Sequence, residues 1–145
     1  MKRSKRITQL KALIDRQAEQ EAIKLAELTS RIQNETNKLE QLKSYKNDYL
    51  NQYAGVGSTI NPQYLQGREK IMKQLDYAIS QQNKQIAMVQ RHVDYQKNVW
   101  MKLHSKVQAY QSWIEKLISE ENLHESRQDQ KRLDEFVVNQ HSRKM

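Results

Sequence analysis

The stretch AGVGSTINPQ, residues 54–63, decides the fold, because it is the one credible loop in the sequence. All three glycines and the only proline of the 145 residues lie between Gly55 and Gly67. Gly and Pro mark most chain reversals, so few other turns can exist, and the all-β and α/β folds that need many turns are excluded. Asn61-Pro62 also suits the start of a helix, since proline is tolerated in a first helical turn.

Seven-residue repeats flank this loop, in sequence rich in the helix formers Leu, Lys, Gln, Glu, Ala and Arg. Before the loop, the two series are Ile7, Ile14, Glu21, Leu28, Glu35, Leu42, Tyr49 and Ala18, Leu25, Ile32, Leu39, Lys46, Tyr53. After it, they are Leu65, Met72, Ile79, Ile86, Val93, Trp100, Val107, Ile114 and Arg68, Leu75, Gln82, Val89, Gln96, Leu103, Tyr110, Leu117. Such repeats, held over more than three or four heptads, are typical of a left-handed coiled coil.

These features predict an all-α fold, a long two-helix antiparallel coiled-coil hairpin that forms a single domain over residues 1–145. We expect helix 1 at about 5–53, the turn at about 54–63 and helix 2 at about 64–140. The hydrophobic share of 37% agrees with this prediction, because an ordinary globular domain reaches about 45–50%.

Cysteine is absent from the sequence, which excludes disulfides, thiolate metal ligands and a cysteine nucleophile. No apolar run reaches the roughly 7–15 residues of a secretory signal or the roughly 20 residues of a membrane span. We therefore expect a soluble cytoplasmic protein.

The two helices are unequal in length. Pairing outward from a turn centred near Ser58 places Leu42 opposite Leu75 and Ile7 near Tyr110. The first helix then runs out, whereas the second continues past Trp113 for roughly 30 residues, or about 45 Å. An isolated helix of that length is marginally stable in water, so we infer that this overhang docks onto a partner. Its apolar residues are Ile114, Leu117, Ile118, Leu123, Leu133, Phe136 and Val137.

No group of residues supports catalysis. The glycines lack the spacing of a phosphate-binding loop, and the four histidines are not spaced as a helical metal-binding pair. Glu21 and Glu35 lie four turns apart, so they cannot act as a carboxylate pair; they are instead expected to set the register of the coiled coil or to meet basic partners. We therefore expect that the protein is not an enzyme and that it has no cofactor, metal site or small-molecule substrate.

The net charge of +8 raises the alternative of nucleic-acid binding. Nucleic-acid binders usually concentrate their charge in a patch or arm. Here residues 1–62 and residues 63–145 each carry a net charge of +4, so the positive charge is spread evenly along the chain. The one basic cluster is residues 2–6. A solvated charged surface is therefore favoured over a nucleic-acid partner.

Tyrosines gather near the predicted tip of the hairpin, at Tyr45, Tyr49, Tyr53, Tyr64 and Tyr77. They could cover the tapering end of the coil, or form an exposed docking patch, since tyrosine is enriched at interfaces. The sequence leaves both interpretations open.

Several stretches resemble the FliJ family, the coiled-coil components of the bacterial flagellar type III export apparatus. The run DQKRLDEF at residues 129–136, close behind Arg127, resembles the C-terminal motif of that family. The run YKNDY at residues 45–49, together with Leu75 and Ala78-Ile79, is also similar to it. The length, the single turn and the tryptophans of the second helix fit as well.

The resemblance implies a non-catalytic protein similar in fold to the rotor stalk subunit of rotary ATPases. Such a protein enters the hexameric flagellar export ATPase, regulates it, links it to the membrane export-gate protein and meets export chaperones. It is peripherally associated with the cytoplasmic face of the inner membrane at the flagellar base. The stalk protein of a virulence-type III secretion system, or a generic coiled-coil adaptor or chaperone, is the alternative.

The resemblance also implies two partner-binding surfaces. The family's gate-contacting patch maps onto Leu42, Tyr45, Tyr49, Ile71, Leu75, Ala78 and Gln82. Ile71 replaces a family aromatic residue there, and Gln82 replaces a family histidine. The surface for the ATPase ring maps onto Trp113, Ile114, Leu117, Arg127, Asp129, Gln130, Lys131, Leu133, Asp134, Glu135 and Phe136.

Overall fold

The computed structural model describes residues 2–53 and 62–143, all of which are helical except Lys2. Helix α1 is Arg3–Tyr53 and helix α2 is Pro62–Arg143. The two form a helical hairpin with extensive contacts between them, which confirms the predicted fold class. Proline is the first residue of α2, where its missing N–H costs nothing. The predicted turn lies outside the described residues at positions 54–61.

The helices pack as two units. The terminal unit is drawn from Met1–Gln20 and Met101–Met145, and the central unit is Glu21–Trp100. In each unit the four predicted heptad series supply the contact surface: every described member is buried or half-buried, with the exception of the exposed Leu65. Val89 of the central unit is fully buried. The seven-residue repeat thus predicted the packed face of both helices.

Two polar layers interrupt the apolar seam of the central unit. In one, the Gln82 side-chain amide donates to the main-chain oxygen of Glu35 at 2.8 Å and to its Oε2 at 2.6 Å. In the other, the Gln96 amide donates to the main-chain oxygen of Glu21 at 3.1 Å and to its Oε2. Each carboxylate thus meets one amide of the opposite helix; that the two glutamates set the register or meet basic partners stays a prediction.

The terminal unit has an apolar cluster of Ile7, Ile114 and Leu117, with Tyr110 packed against it. Beyond the cluster, Ser4 of α1 still contacts Glu121 of α2. The expectation that α2 is uncovered directly after Trp113 is therefore wrong.

Contacts with α2 extend as far as Glu125, whose carboxylate pairs at 2.5 Å with Lys2, the residue before α1. The reason lies in side-chain direction. The Glu121 and Glu125 carboxylates of α2 reach back along the helix to Ser4 and Lys2, because helical side chains lean toward the N-terminus of their own helix. The uncovered part of α2, here called the overhang, is therefore residues 126–143.

Candidate functional site

The gate patch, as mapped from the family resemblance, lies in the central unit. Four of its members line one groove: Leu42, Tyr45, Leu75 and Gln82, together with Lys38 and Gln41. Tyr45 is 71% exposed and forms the open side of the groove, whereas the two leucines are half-buried in the seam. The remaining members do not line this groove: Ile71 is exposed, and Tyr49 and Ala78 are half-buried.

Gln82 has a different role from the rest of the groove. Its side-chain amide donates to the main-chain oxygen and to Oε2 of Glu35. A partner that used this amide would therefore have to break two hydrogen bonds. The Glu35 carboxylate also lies 3.7 Å from Lys38, which follows it at the next turn of α1. The floor of the groove is therefore held rigid by polar contacts, while Tyr45 remains available.

The same arrangement recurs fourteen residues along each helix, at Gln96 and Glu21. Lys24 stands 3.4 Å from the Glu21 carboxylate, as Lys38 stands near Glu35. The hydrogen bond from Gln96, with a further contribution from Lys24, lowers the pKa of Glu21 below its usual value. Sequence reasoning missed both pairs, although the pairing of Leu42 with Leu75 also places these glutamates and glutamines opposite one another.

Beside the gate patch, Lys46 and Asp76 form an ion pair of 2.5 Å between the helices. Lys46 occupies a seam position, and its aliphatic stem is half-buried while its ammonium reaches outward to the exposed carboxylate. This pair was not predicted, because a lysine in an apolar series carries no signal for its partner.

In the terminal unit, the Trp113 ring is held by two neighbours. It stacks on Tyr110 with ring centroids 6.1 Å apart, and the Arg3 guanidinium lies 5.8 Å from the centre of the ring. Ile114 and Leu117, which the family resemblance assigns to the ATPase-binding surface, are buried against Ile7. These two side chains therefore support the hairpin rather than an open surface.

The N-terminus of α1 is capped by a carboxylate from α2. The main-chain N–H of Ser4 donates to Glu121 at 3.1 Å, and the Ser4 hydroxyl donates at 2.7 Å. A first-turn N–H has no partner within its own helix, so Glu121 supplies the acceptor that a capping side chain would provide. The two hydrogen bonds from Ser4 lower the pKa of Glu121. Glu125 in turn raises the pKa of Lys2 through a hydrogen bond and charge attraction.

The overhang is exposed along its whole length. Leu133, Phe136 and Val137 follow at i, i+3 and i+4, so they share one face of the helix. Leu133 and Phe136 are 61% and 58% exposed. Within residues 2–53 and 62–143, we find no side-chain hydrogen bond or ion pair for the remaining predicted members: Arg127, Asp129, Gln130, Lys131, Asp134 and Glu135.

Comparison with known proteins places the chain in a family. The family model described as flagellar FliJ protein matches residues 3–145. The chain belongs to the FliJ family. This FliJ-family chain is 30% identical over 131 residues to the flagellar FliJ protein of Escherichia coli (strain K12). It is 27% identical over 129 residues to the flagellar FliJ protein of Salmonella typhi.

Both alignments cover 88% of each chain, so the resemblance read from the sequence is confirmed. No solved structure gives a significant match.

For this FliJ-family chain, the described residues contain no cluster of three His, Asp or Glu side chains that could hold a metal ion. Neither described helix has a stretch that is long and apolar enough to cross a membrane. The described surfaces combine exposed tyrosine and aliphatic groups with bordering charged side chains.

Proposed function

We propose that this FliJ-family chain is a non-catalytic stalk and regulator of the flagellar type III export ATPase. In this proposal the overhang enters the hexameric ATPase ring, and the gate patch binds the membrane export-gate protein. The protein works in the cytoplasm, peripherally attached to the inner membrane at the flagellar base, where it also meets export chaperones.

The observation that carries the proposal is the exposed apolar face of the overhang. A helical segment that packs against no other part of its own chain is only marginally stable in water, because most helical stability comes from packing and little from helix propensity. Leu133, Phe136 and Val137 are more than half exposed, and a partner that covers them would stabilise the helix by mass action. Phe136 belongs to the aromatic residues that are enriched in the buried core of protein interfaces.

The test is stimulation of the purified hexameric export ATPase by the purified chain. Leu133→Asp/Phe136→Asp introduces charge into the proposed contact, and we expect it to abolish stimulation. The matched control is Gln128→Asp/Asn139→Asp, which adds the same charge to exposed polar positions on the opposite face of the same segment. Full stimulation by the Leu133→Asp/Phe136→Asp variant would contradict the proposal.

Substitution is preferable to truncation after Trp113. Such a truncation would also remove Ile114, Leu117 and Glu121, which pack against α1. Loss of stimulation would then report loss of the terminal unit and not loss of a contact with the ring.

The gate patch is tested separately by Tyr45→Ala, with Tyr95→Ala as the matched control. Both tyrosines are 71% exposed, so the two substitutions remove similar exposed areas. We expect only Tyr45→Ala to weaken binding of the cytoplasmic part of the export-gate protein. Equal affinities for the two variants would contradict the assignment of this patch.

A further inference from the structure

The outer face of α2 in the central unit carries a row of basic and aromatic side chains. We call it the basic stripe, and it consists of Lys70, Tyr77, Lys84, Met88, Arg91 and Tyr95. All six are exposed, because they occupy the positions that lie opposite the buried seam of the same helix. Gln74 and Gln81 fill the other two positions of the row.

The basic stripe contains no acidic residue. The acidic residues of α2 in this unit are Glu69, Asp76 and Asp94. At about 100° of rotation per residue, each lies about 80–100° around the helix from the middle of the row. Asp76 is also taken by Lys46 of α1.

The cations of the basic stripe have no acidic partner among the described residues. The side chains of Lys70, Lys84 and Arg91 make no hydrogen bond or ion pair within residues 2–53 and 62–143. The charge of this face is therefore available to a partner, and the charge of that partner must be negative.

The spacing identifies the shape of the partner. Starting at Lys70, the row advances by alternating steps of four and three residues as far as Tyr95. This is the spacing at which a second helix packs alongside the first at a small crossing angle. Two tyrosines and a methionine supply contact area, and the basic residues between them supply attraction. We propose that the basic stripe binds an acidic amphipathic helix of another protein.

Nucleic acid fits this surface less well. Tyr77 and Tyr95 lie eighteen residues apart, which is about 27 Å along the helix, so they cannot stack on neighbouring bases of one strand. A lipid surface also fits poorly. Interfacial helices bury a broad face of bulky apolar side chains, whereas Met88 is the one aliphatic member of the basic stripe.

The proposal is tested by measuring binding of a synthetic peptide to the full chain by fluorescence anisotropy at moderate salt. The peptide is a helix of about four heptads with Leu at its a and d positions and Glu at the flanking positions. Lys84→Glu/Arg91→Glu is expected to weaken binding by about tenfold or more, because it reverses two charges at the contact. Arg31→Glu/Lys43→Glu, on exposed positions of α1, makes the same change of net charge and is expected to alter binding by about twofold at most.

A second variant keeps the result interpretable. Lys84→Gln/Arg91→Gln removes the charges without introducing repulsion, and it should give an intermediate loss of affinity. Far-UV circular dichroism establishes that each variant remains helical.

Four results would overturn the proposal. The first is equal peptide affinity for the basic-stripe and control variants, and the second is equal binding of a peptide with Lys in place of Glu. The third is tighter, stripe-dependent binding of duplex DNA or of vesicles containing phosphatidylglycerol. The fourth is self-association of the chain that Lys84→Glu/Arg91→Glu abolishes. None of these measurements involves the export ATPase, so the stalk proposal and this one can fail independently.

Discussion

The terminal unit and the central unit join the same two helices by different means. In the terminal unit, Ile7 packs directly on Ile114 and Leu117, and polar contacts lie at the end of α1. In the central unit, amide–carboxylate layers divide the apolar seam. Apolar burial stabilises a helix pair without specifying its register, whereas a polar group within the seam penalises every pairing that leaves it unmatched. We infer that the terminal unit contributes mainly stability and that the central unit contributes mainly the register.

The largest expected effect is that of Ile114→Ala in the terminal unit. Ile114 is 5% exposed, and truncation of a buried isoleucine lowers the free energy of unfolding by about 2–5 kcal/mol. The measurement is urea unfolding followed by far-UV circular dichroism. Ile118→Ala is the control, because Ile118 is 44% exposed and lies one turn further along the same helix. Similar losses for the two variants would show that α1 does not cover Ile114.

The next effect concerns the polar layers of the central unit. Gln96→Leu leaves the Glu21 carboxylate facing an apolar side chain, so we expect a loss of stability that is smaller than that of Ile114→Ala. The double variant Gln96→Leu/Glu21→Leu should recover the loss, because replacing both partners of a buried polar pair by apolar groups is often neutral or stabilising.

The same urea experiment separates these outcomes, and Gln81→Leu serves as the control at an exposed position of α2. If Gln96→Leu is as stable as Gln81→Leu, the layer contributes nothing to pairing. If the double variant does not recover, the amide–carboxylate contact is not the reason for the loss.

These layers also mark how far the sequence predicts the fold. The heptads predicted both helices and their buried face, because a seven-residue period leaves few alternatives. Pairing outward from Ser58 placed Leu42 opposite Leu75, and continuing it brings Glu35 to Gln82 and Glu21 to Gln96, as observed. The exposure of Tyr45 could not be predicted, because a tyrosine beside the seam can turn inward or outward without a change in pattern.

The contacts at the end of α1 could not be predicted either. Ser4 and Glu121 are 117 residues apart, and no local capping motif joins them. Pairing outward from the turn brings the end of α1 to Trp113 and so exposes Ile114 and Leu117, whereas the structure buries both against Ile7. The surfaces assigned to the ATPase ring and to the export gate were mapped from the family resemblance. The structure adds which of their side chains are exposed.

The cap of α1 should have a moderate effect on the terminal unit. Ser4→Ala removes the hydroxyl donor to Glu121 and keeps the main-chain one, and the net contribution of one such hydrogen bond is about 1 kcal/mol. Thr8→Ala is the matched control, because the Thr8 hydroxyl bonds only the carbonyl of Ser4 within the helix. If the two variants unfold at the same urea concentration, the contact with Glu121 does not stabilise the helix end.

The contribution of this cap should depend on pH in a defined direction. The pKa of Glu121 is lower in the folded chain than in the unfolded one, because Ser4 donates to the ionised carboxylate. The stabilisation is therefore fully present above the ordinary pKa of a glutamate and is lost as the pH falls through the lowered folded value. The stability difference between the parent chain and Glu121→Gln should shrink across that acidic range, and a constant difference would contradict this explanation.

The smallest expected effect is that of the ion pair between Lys46 and Asp76. Exposed ion pairs contribute about 0–1 kcal/mol, and this pair is open to solvent on the Asp76 side. Lys46→Ala alone would overstate the contribution, because it also removes the half-buried stem from the seam. A double-mutant cycle with Asp76→Ala subtracts that packing loss, since only the coupling between the two charges remains. We expect a coupling that falls as salt is added; a coupling unchanged by salt would mean that Lys46 and Asp76 are linked through packing and not through charge.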